Sequence, residues 1–157
     1  MAEKIRRVEE NDLDDVLRLC GQLKPDGPPE KRDTALWEEI LADPNQQILV
    51  VEQEGQIVAT CALVLIKNLT RGGRPAAYLE NVVVDNSKRG MGIGKRMLKK
   101  AIAIAREHNC YKIFLLTGTI HNEFLAQNIE ERHKFYRALG FRDDIKTGFV
   151  FYLADDI

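Results

Sequence analysis

The sequence has no long apolar run, no cysteine framework and almost no net charge, and each shortage removes a class of protein. Its apolar stretches fall well short of the roughly 18–20 residues that span a membrane. The opening MAEKIRRVEEND lacks the apolar segment of a secretory leader. Cysteine occurs three times in 157 residues, at Cys20, Cys61 and Cys110. An odd, widely spaced set inside apolar or helical patterns reads as reduced core thiols of a cytoplasmic protein, not as a disulfide or metal framework. His108, His121 and His133 do not stand at ligand spacing to a cysteine or an acid, so no metal is expected. With 23 Lys and Arg against 24 Asp and Glu, nothing global draws the chain to nucleic acid or to an anionic membrane. Repeats and low-complexity tracts are also missing. The expected organisation is one domain over residues 1–157, long enough to bury a core.

What the chain does have is concentrated in Asp85–Arg106, DNSKRGMGIGKRMLKKAIAIAR. The apolar run Leu79-Glu80-Asn81-Val82-Val83-Val84 leads into it and reads as a buried strand. A glycine-spaced turn follows, Arg89-Gly90-Met91-Gly92-Ile93-Gly94. The amphipathic helix after it carries Met97, Leu98, Ala101, Ile102 and Ala105 on one face, with Lys95, Arg96, Lys99, Lys100 and Arg106 largely on the other. Strand, glycine turn and helix aim unpaired N–H groups and a positive helix end at one point, where anions bind. Glycine permits positive φ there and puts no Cβ in the way of a ligand. Lys88 to Lys100 carries six cations and no acid. Two familiar phosphate loops do not match. G-x-G-x-x-G needs a glycine where Lys95 stands, and G-x-x-x-x-G-K-[ST] needs glycine and Ser or Thr where Arg89 and Arg96 stand. The remaining pattern, R-G-x-G-x-G, suits a pyrophosphate, although the same residues would also make an ordinary turn before a helix with a solvated basic face.

In chain order, Lys4–Val8 reads as an edge strand. Asn11 is the expected N-cap of a helix with the apolar stripe Leu13, Val16, Leu17, Cys20 and Leu23. The breaker-rich segment 24–29 is a loop. Asp33 caps a second helix that buries Leu36, Trp37, Ile40 and Leu41 and stops at Asp43-Pro44. Gln47–Gln53 and Gln56–Ile66 read as strands joined by a two-residue turn at Glu54-Gly55. Tyr111–Leu116 is another buried strand, parallel to Leu79–Val84 because a helix separates them. Residues 117–131 look irregular, a short helix covers Arg132–Leu139, and two final strands end at Phe149-Val150-Phe151-Tyr152-Leu153. The fold class is therefore mixed α/β (α+β), with flanking helices, a βαβ core and a central mixed sheet of about six to seven strands.

V-x-V-D-x-x-x-R-G-x-G-I-G, Val82 to Gly94 here, resembles the acetyl-CoA signature of the GNAT family of N-acetyltransferases. Phe135-Tyr136-Arg137-Ala138-Leu139-Gly140-Phe141 is similar to that family's F-Y-x-x-x-G-F segment. The resemblance implies transfer of an acetyl group from acetyl-CoA to a primary amine by direct attack in a ternary complex. It implies a diphosphate held by Arg89, Gly90, Met91, Gly92, Ile93, Gly94 and Lys95. Pantetheine would lie along the main chain of Val82, Val83 and Val84, with an N–H near Val82 facing the carbonyl oxygen. Tyr136 would protonate the departing sulfur; a tyrosine merely packed beside Phe135 is the other reading.

Glu80 is the candidate base. A carboxylate in an apolar strand must be paired or face a cleft. Strand alternation groups it with Tyr78, Val82 and Val84, and partial burial would raise its pKa. Some members of the family carry a glutamate at the same offset in an E-D-V-V-V run, though a rim or salt-bridged carboxylate would read the same way. His133 matches the A-H-x-F-Y form of several members, with Arg132 in place of the small residue. The asparagine many members place seven positions before the tyrosine is Ile129 here, with Asn128 one place off. The three cysteines sit in patterns that argue burial, which leaves no good nucleophile. Arg71 and Arg74, with Lys67, could select a small anionic or phosphorylated amine, or be solvated loop charges. The expected partner is thus a small-molecule amine, with no nucleic acid and no membrane, and the resemblance allows a homodimer. A cofactor-binding domain without turnover and a protein N-acetyltransferase stay open. A nucleic-acid module on Lys88–Lys100 would lack interleaved aromatics.

Overall fold

The computed structural model describes residues 2–118 and 129–153 of the chain. Two compact units divide it, one reaching Leu115 and the other beginning at Leu116.

The first unit is organised on a five-stranded sheet with its strands in chain order. These are β1 (Glu3–Arg7), β2 (Gln46–Gln53), β3 (Gln56–Ile66), β4 (Ala76–Val84) and β5 (Lys112–Phe114). The first four pair antiparallel, and β4 with β5 parallel. Glu54 (φ 50°) and Gly55 (φ 77°) turn β2 into β3. Two successive left-handed residues match the twist of the strands they join. Helices α1 (Leu13–Gly21) and α2 (Thr34–Ala42) precede β2, and α3 (Ile93–Glu107) makes the crossover from β4 to β5. Val50, Ile57 and Val83 share one core cluster with Val16 and Leu19 of α1 and Trp37 of α2. Alternation turns Leu49 and Val51 to the other face, where α3 lies on β2, β3 and β4. Met97 and Leu98 of α3 are fully buried, each worth about 1.5–3 kcal/mol of transfer free energy. The periodicity of α3 was read correctly, with Ile104 joining the buried face and Ile102 left at its margin.

Asn11 does not cap α1. A single 3₁₀ turn, Glu10–Asp12, precedes the helix, and Glu9 and Asp12 satisfy each other's main-chain donors. Asp12 Oδ2 accepts from the Glu9 N–H at 2.7 Å. Two carboxylates three residues apart meet two orphan N–H groups at once, which a single asparagine between them cannot do. Asp33 does cap α2, its Oδ1 accepting from the Leu36 N–H at 3.0 Å.

In the second unit, α4 (Ile129–Ala138) begins three residues before the expected Arg132 and ends where Gly140 turns left-handed at φ 94°. Residues 141–153 form no strand, so among the described residues the sheet has five strands and not the six to seven expected. Phe149, Phe151 and Leu153 are 92%, 86% and 93% exposed. β-propensity describes how a side chain suits a pleated, half-covered surface; it does not supply the neighbouring ladder that a strand's N–H and C=O groups require. Of the irregular 117–131 connection, residues 119–128 lie outside the described residues, and His121 and Asn128 with them. Among the described residues, no helix is long and apolar enough to cross a membrane. Among them also, no group of three or more His, Cys, Asp or Glu could hold a metal.

Candidate active site

β4 hands the chain to the glycine turn through a tightly bonded corner. The Asp85 N–H continues the ladder to Val58 O at 2.8 Å. Its carboxylate accepts from the Ser87 N–H at 3.0 Å, the Ser87 hydroxyl at 2.8 Å and Arg18 Nη1 at 2.8 Å. These donors, the Ser87 main chain foremost, pull its pKa down to about 2. Gly90 (φ 77°) and Gly92 (φ 75°) are left-handed, and Gly92 caps α3. A Cβ on Gly90 would meet nothing within 4 Å, so the hollow before the turn is open on that side. Gly94 is different: it lies buried in the first turn of α3. Arg89 gives its Nε to Val84 O at 3.3 Å, and Lys95 is exposed on the first turn. No acid lies in that turn, which keeps the positive end of the helix uncompensated. A turn of this kind suits a diphosphate.

The next feature is a gap in the sheet. β4 and β5 pair only at Ala76↔Lys112, Ala77↔Ile113 and Tyr78↔Phe114. From Leu79 to Val84, β4 has no β5 residue opposite it among the described residues. A strand edge of this kind takes an extended ligand by main-chain hydrogen bonds. The Val83 side chain is buried, while those of Val82 and Val84 are half-buried.

Asn81 breaks the regular alternation expected here. Its φ is 52°, and the register jumps from Ala62↔Glu80 to Thr60↔Val83. Two residues of β4 therefore face one of β3, a β-bulge. Thr60 and Ala62 share a face of β3, so Glu80 shares its face with Val83, on the α1 and α2 side, and not with Val82 and Val84. The expected partial burial of Glu80 is also absent: its side chain is exposed. The bulge explains both corrections, because it releases the strand from its neighbour just where the carboxylate projects. Tyr78 keeps the face it was expected to share with Glu80; burial first, then the Glu80 charge and hydrogen bond, raise its phenol pKa.

Asn81 also lines a cavity of about 420 Å³ between α1 and α2, a size usual for small-ligand sites. Val16 and Cys20 of α1, Leu23 just after it and Trp37 of α2 form apolar walls, and Lys24, Glu30, Lys31 and Asp33 come from the segment between the helices. α1 is tied to the glycine turn as well. Arg18 Nη2 donates to Ile57 O at 2.7 Å while Nη1 holds Asp85, and the Asn86 N–H donates to Gln22 Oε1 at 3.0 Å. No local pattern could have shown these links, which span 39, 67 and 64 positions.

Arg71 and Arg74 do not belong to this group. Their loop precedes β4, at the opposite end of that strand from the glycine turn. Arg74 Nε and Nη2 donate to Asn109 O and Cys110 O, each at 3.1 Å, tying down the segment that leaves the end of α3. The Arg71 guanidinium lies 5.7 Å from the Tyr111 ring centre.

In the second unit, the Tyr136 ring meets Phe135 edge-on at 5.1 Å and Phe141 at 5.8 Å. Its carbonyl accepts from the N–H groups of Leu139 and Phe141, which fixes the end of α4 around it. His133 is not a plain surface histidine: its Nε2 lies 3.2 Å from Thr117 Oγ1. The cysteines behave as expected of inert thiols. Burial pushes Cys61 up to about 12 and raises Cys20 and Cys110 as well.

Comparison with known proteins adds the following. The model of the acetyltransferase (GNAT) family matches residues 12–141. A glucosamine 6-phosphate N-acetyltransferase of Trypanosoma brucei brucei is 32% identical over 145 residues, 88% of either chain. A solved structure of an Agrobacterium tumefaciens str. C58 protein is 36% identical with a TM-score of 0.84, covering 95% of this chain and 99% of that one. The structure of glucosamine-6-phosphate N-acetyltransferase from Arabidopsis thaliana is 26% identical with a TM-score of 0.80, covering 98% and 100%.

Proposed function

The chain belongs to the acetyltransferase (GNAT) family, and from that premise we propose that it acetylates the amine of a small phosphorylated amino sugar, glucosamine 6-phosphate being the first candidate. It is an acyltransferase of the N-acetyltransferase type; the acceptor is the new element. The observation that carries the acceptor reading is the cavity of about 420 Å³ beside the Asn81 bulge, whose lining holds Lys24 and Lys31 together with Glu30 and Asp33, charges of both signs that suit an acceptor bearing a phosphate and an ammonium. The Trypanosoma relative's name points the same way.

Acetyl-CoA, the acetyl donor of the family, supplies the acetyl group as an activated thioester. The N–H groups of Gly90 and Gly92, with Arg89 and Lys95, hold the diphosphate. The main chain of Val82–Val84 holds pantetheine, and an N–H near Val82 faces the carbonyl oxygen, where negative charge builds. Glu80 takes the proton that the acceptor ammonium must lose before its nitrogen can attack. Tyr136 Oη passes a proton to the departing sulfur. A phenol with pKa about 10 is a weaker acid than a thiol of about 8.5, so complete transfer runs uphill by roughly 2 kcal/mol. The hydroxyl therefore helps most as a hydrogen-bond donor while the C–S bond is breaking. With all three thiols held protonated, attack is direct and no acetyl-enzyme forms. We take the two units as one cytoplasmic transferase domain, a reading supported by the family match running through both.

The test is a panel of amines assayed by release of free thiol. Glucosamine 6-phosphate is expected to exceed unphosphorylated glucosamine in kcat/KM by at least about tenfold, as one charge-assisted phosphate contact provides. Coenzyme A binding with no acetylation of any amine would replace this reading with a silent cofactor-binding domain. In the same assay Tyr136→Phe should bind the cofactor normally and turn over at least about tenfold more slowly. Equal rates would remove Tyr136 from the mechanism.

A further inference from the structure

Arg96 stands in the basic segment beside the glycine turn, yet its guanidinium is already committed to the protein. Nε and Nη2 grip the Glu3 carboxylate at 2.6 and 2.8 Å, and Nη1 donates to Met91 O at 3.0 Å. Glu3 is steadied in turn by Gln53 Nε2 at 2.8 Å. The 91–92 peptide is therefore anchored to the far edge of the sheet, through β1 and the end of β2.

The consequence follows from peptide geometry. In a planar trans peptide the carbonyl of one residue and the N–H of the next point in opposite directions. If Met91 O is drawn toward Arg96, the Gly92 N–H must be turned the other way. Gly92 makes this arrangement feasible for a second reason besides its positive φ: a Cβ there would lie 2.9 Å from Arg96 Nη1. A planar fork with three donors in use is also something a lysine cannot reproduce.

We propose that Arg96, held by Glu3, is a positioning residue that orients the Met91–Gly92 peptide so that its N–H faces the diphosphate of coenzyme A. This rests on the transferase reading, since it concerns the same turn. Arg96 acts here through the main chain and not as a cation against the ligand.

Titration calorimetry on the full-length protein separates the two roles, with coenzyme A and pantetheine (which lacks the diphosphate) as probes. Arg96→Lys keeps the charge and loses the fork; it should weaken coenzyme A about tenfold, the value of one oriented donor to a charged oxygen, and leave pantetheine unchanged. Glu3→Gln is the sharper variant. It removes a negative charge near an anionic ligand, so charge alone calls for tighter binding, whereas loss of the anchor calls for binding about threefold weaker. Both partners are partly exposed, and the urea midpoint of each variant reports whether the fold is intact. Coenzyme A binding by Arg96→Lys equal to wild type, unchanged or tighter binding by Glu3→Gln, or equal loss for both probes would each overturn the proposal. A wild-type protein with no affinity for coenzyme A would remove the transferase reading together with it; failure of the variants alone leaves that reading intact.

Discussion

Glu80→Gln is expected to lower kcat/KM for amine acetylation by about a hundredfold or more at pH 7, the lower end of what a positioned general base provides. Glutamine keeps the size and the exposed position on the bulged strand but cannot take the ammonium proton. The acceptor must then lose its proton to water before it binds. The variant's rate should therefore climb about tenfold per pH unit until the amine's own pKa is passed, and the gap from wild type should narrow as it does. Binding of coenzyme A should not change, because the proposed contacts to it come from the glycine turn and from the main chain of Val82–Val84, which this side-chain substitution leaves in place. A variant that keeps more than a third of wild-type activity at pH 7 would reduce Glu80 to a rim carboxylate and would move the search for a base to a water chain.

The largest effect on stability is expected at Asp12. Arg6 donates to both its oxygens, at 2.6 and 3.0 Å, and also to Glu52 at 3.1 and 3.0 Å. The side chains of Arg6 and Asp12 are only 14% and 9% exposed. Asp12→Ala would leave a largely buried guanidinium with Glu52 as its one remaining carboxylate, beside the Arg7 carbonyl at 3.2 Å, and orphan the Glu9 N–H, at a cost of about 3 kcal/mol. Urea unfolding measures it directly, and a loss below about 1 kcal/mol would mean that Glu52 alone suffices. The pH dependence follows from the same contacts. Burial pushes the Asp12 pKa up, but Arg6 and the Glu9 N–H more than reverse this, so it ends below the aspartate value of 3.8. A depressed carboxylate stabilises the fold fully above its unfolded pKa and loses that contribution as pH falls through the folded value. Wild-type stability should thus decline below about pH 4, and the decline should be shallower in Asp12→Ala.

What could be read from the residues, and what could not, divides by distance along the chain. The strand, turn and helix from Leu79 to Glu107 were legible because glycine spacing and a 3.6-residue stripe are local signals. The Asp33 cap and the Glu54-Gly55 turn were legible for the same reason. The Asn81 bulge was not, since Leu-Glu-Asn-Val-Val-Val reads as an unbroken strand and only the ladder to β3 shows the extra residue. Asn11 misled because it is a good cap type between two acids that together do the job better. The C-terminal pair of strands misled because pairing is decided by a neighbour that composition does not name. Arg96 was counted among solvated cations, for its partner Glu3 lies 93 positions away. The loop arginines were weighed as ligand contacts, whereas Arg74 turned out to be bonded to main-chain carbonyls.

Arg74 at one extremity of α3 and Arg96 at the other make that helix a beam resting on two fixed bearings. Such a member has little left to organise when its cargo arrives. Its inner amides should exchange slowly with deuterium before any ligand is added, and saturating coenzyme A should slow them only modestly further.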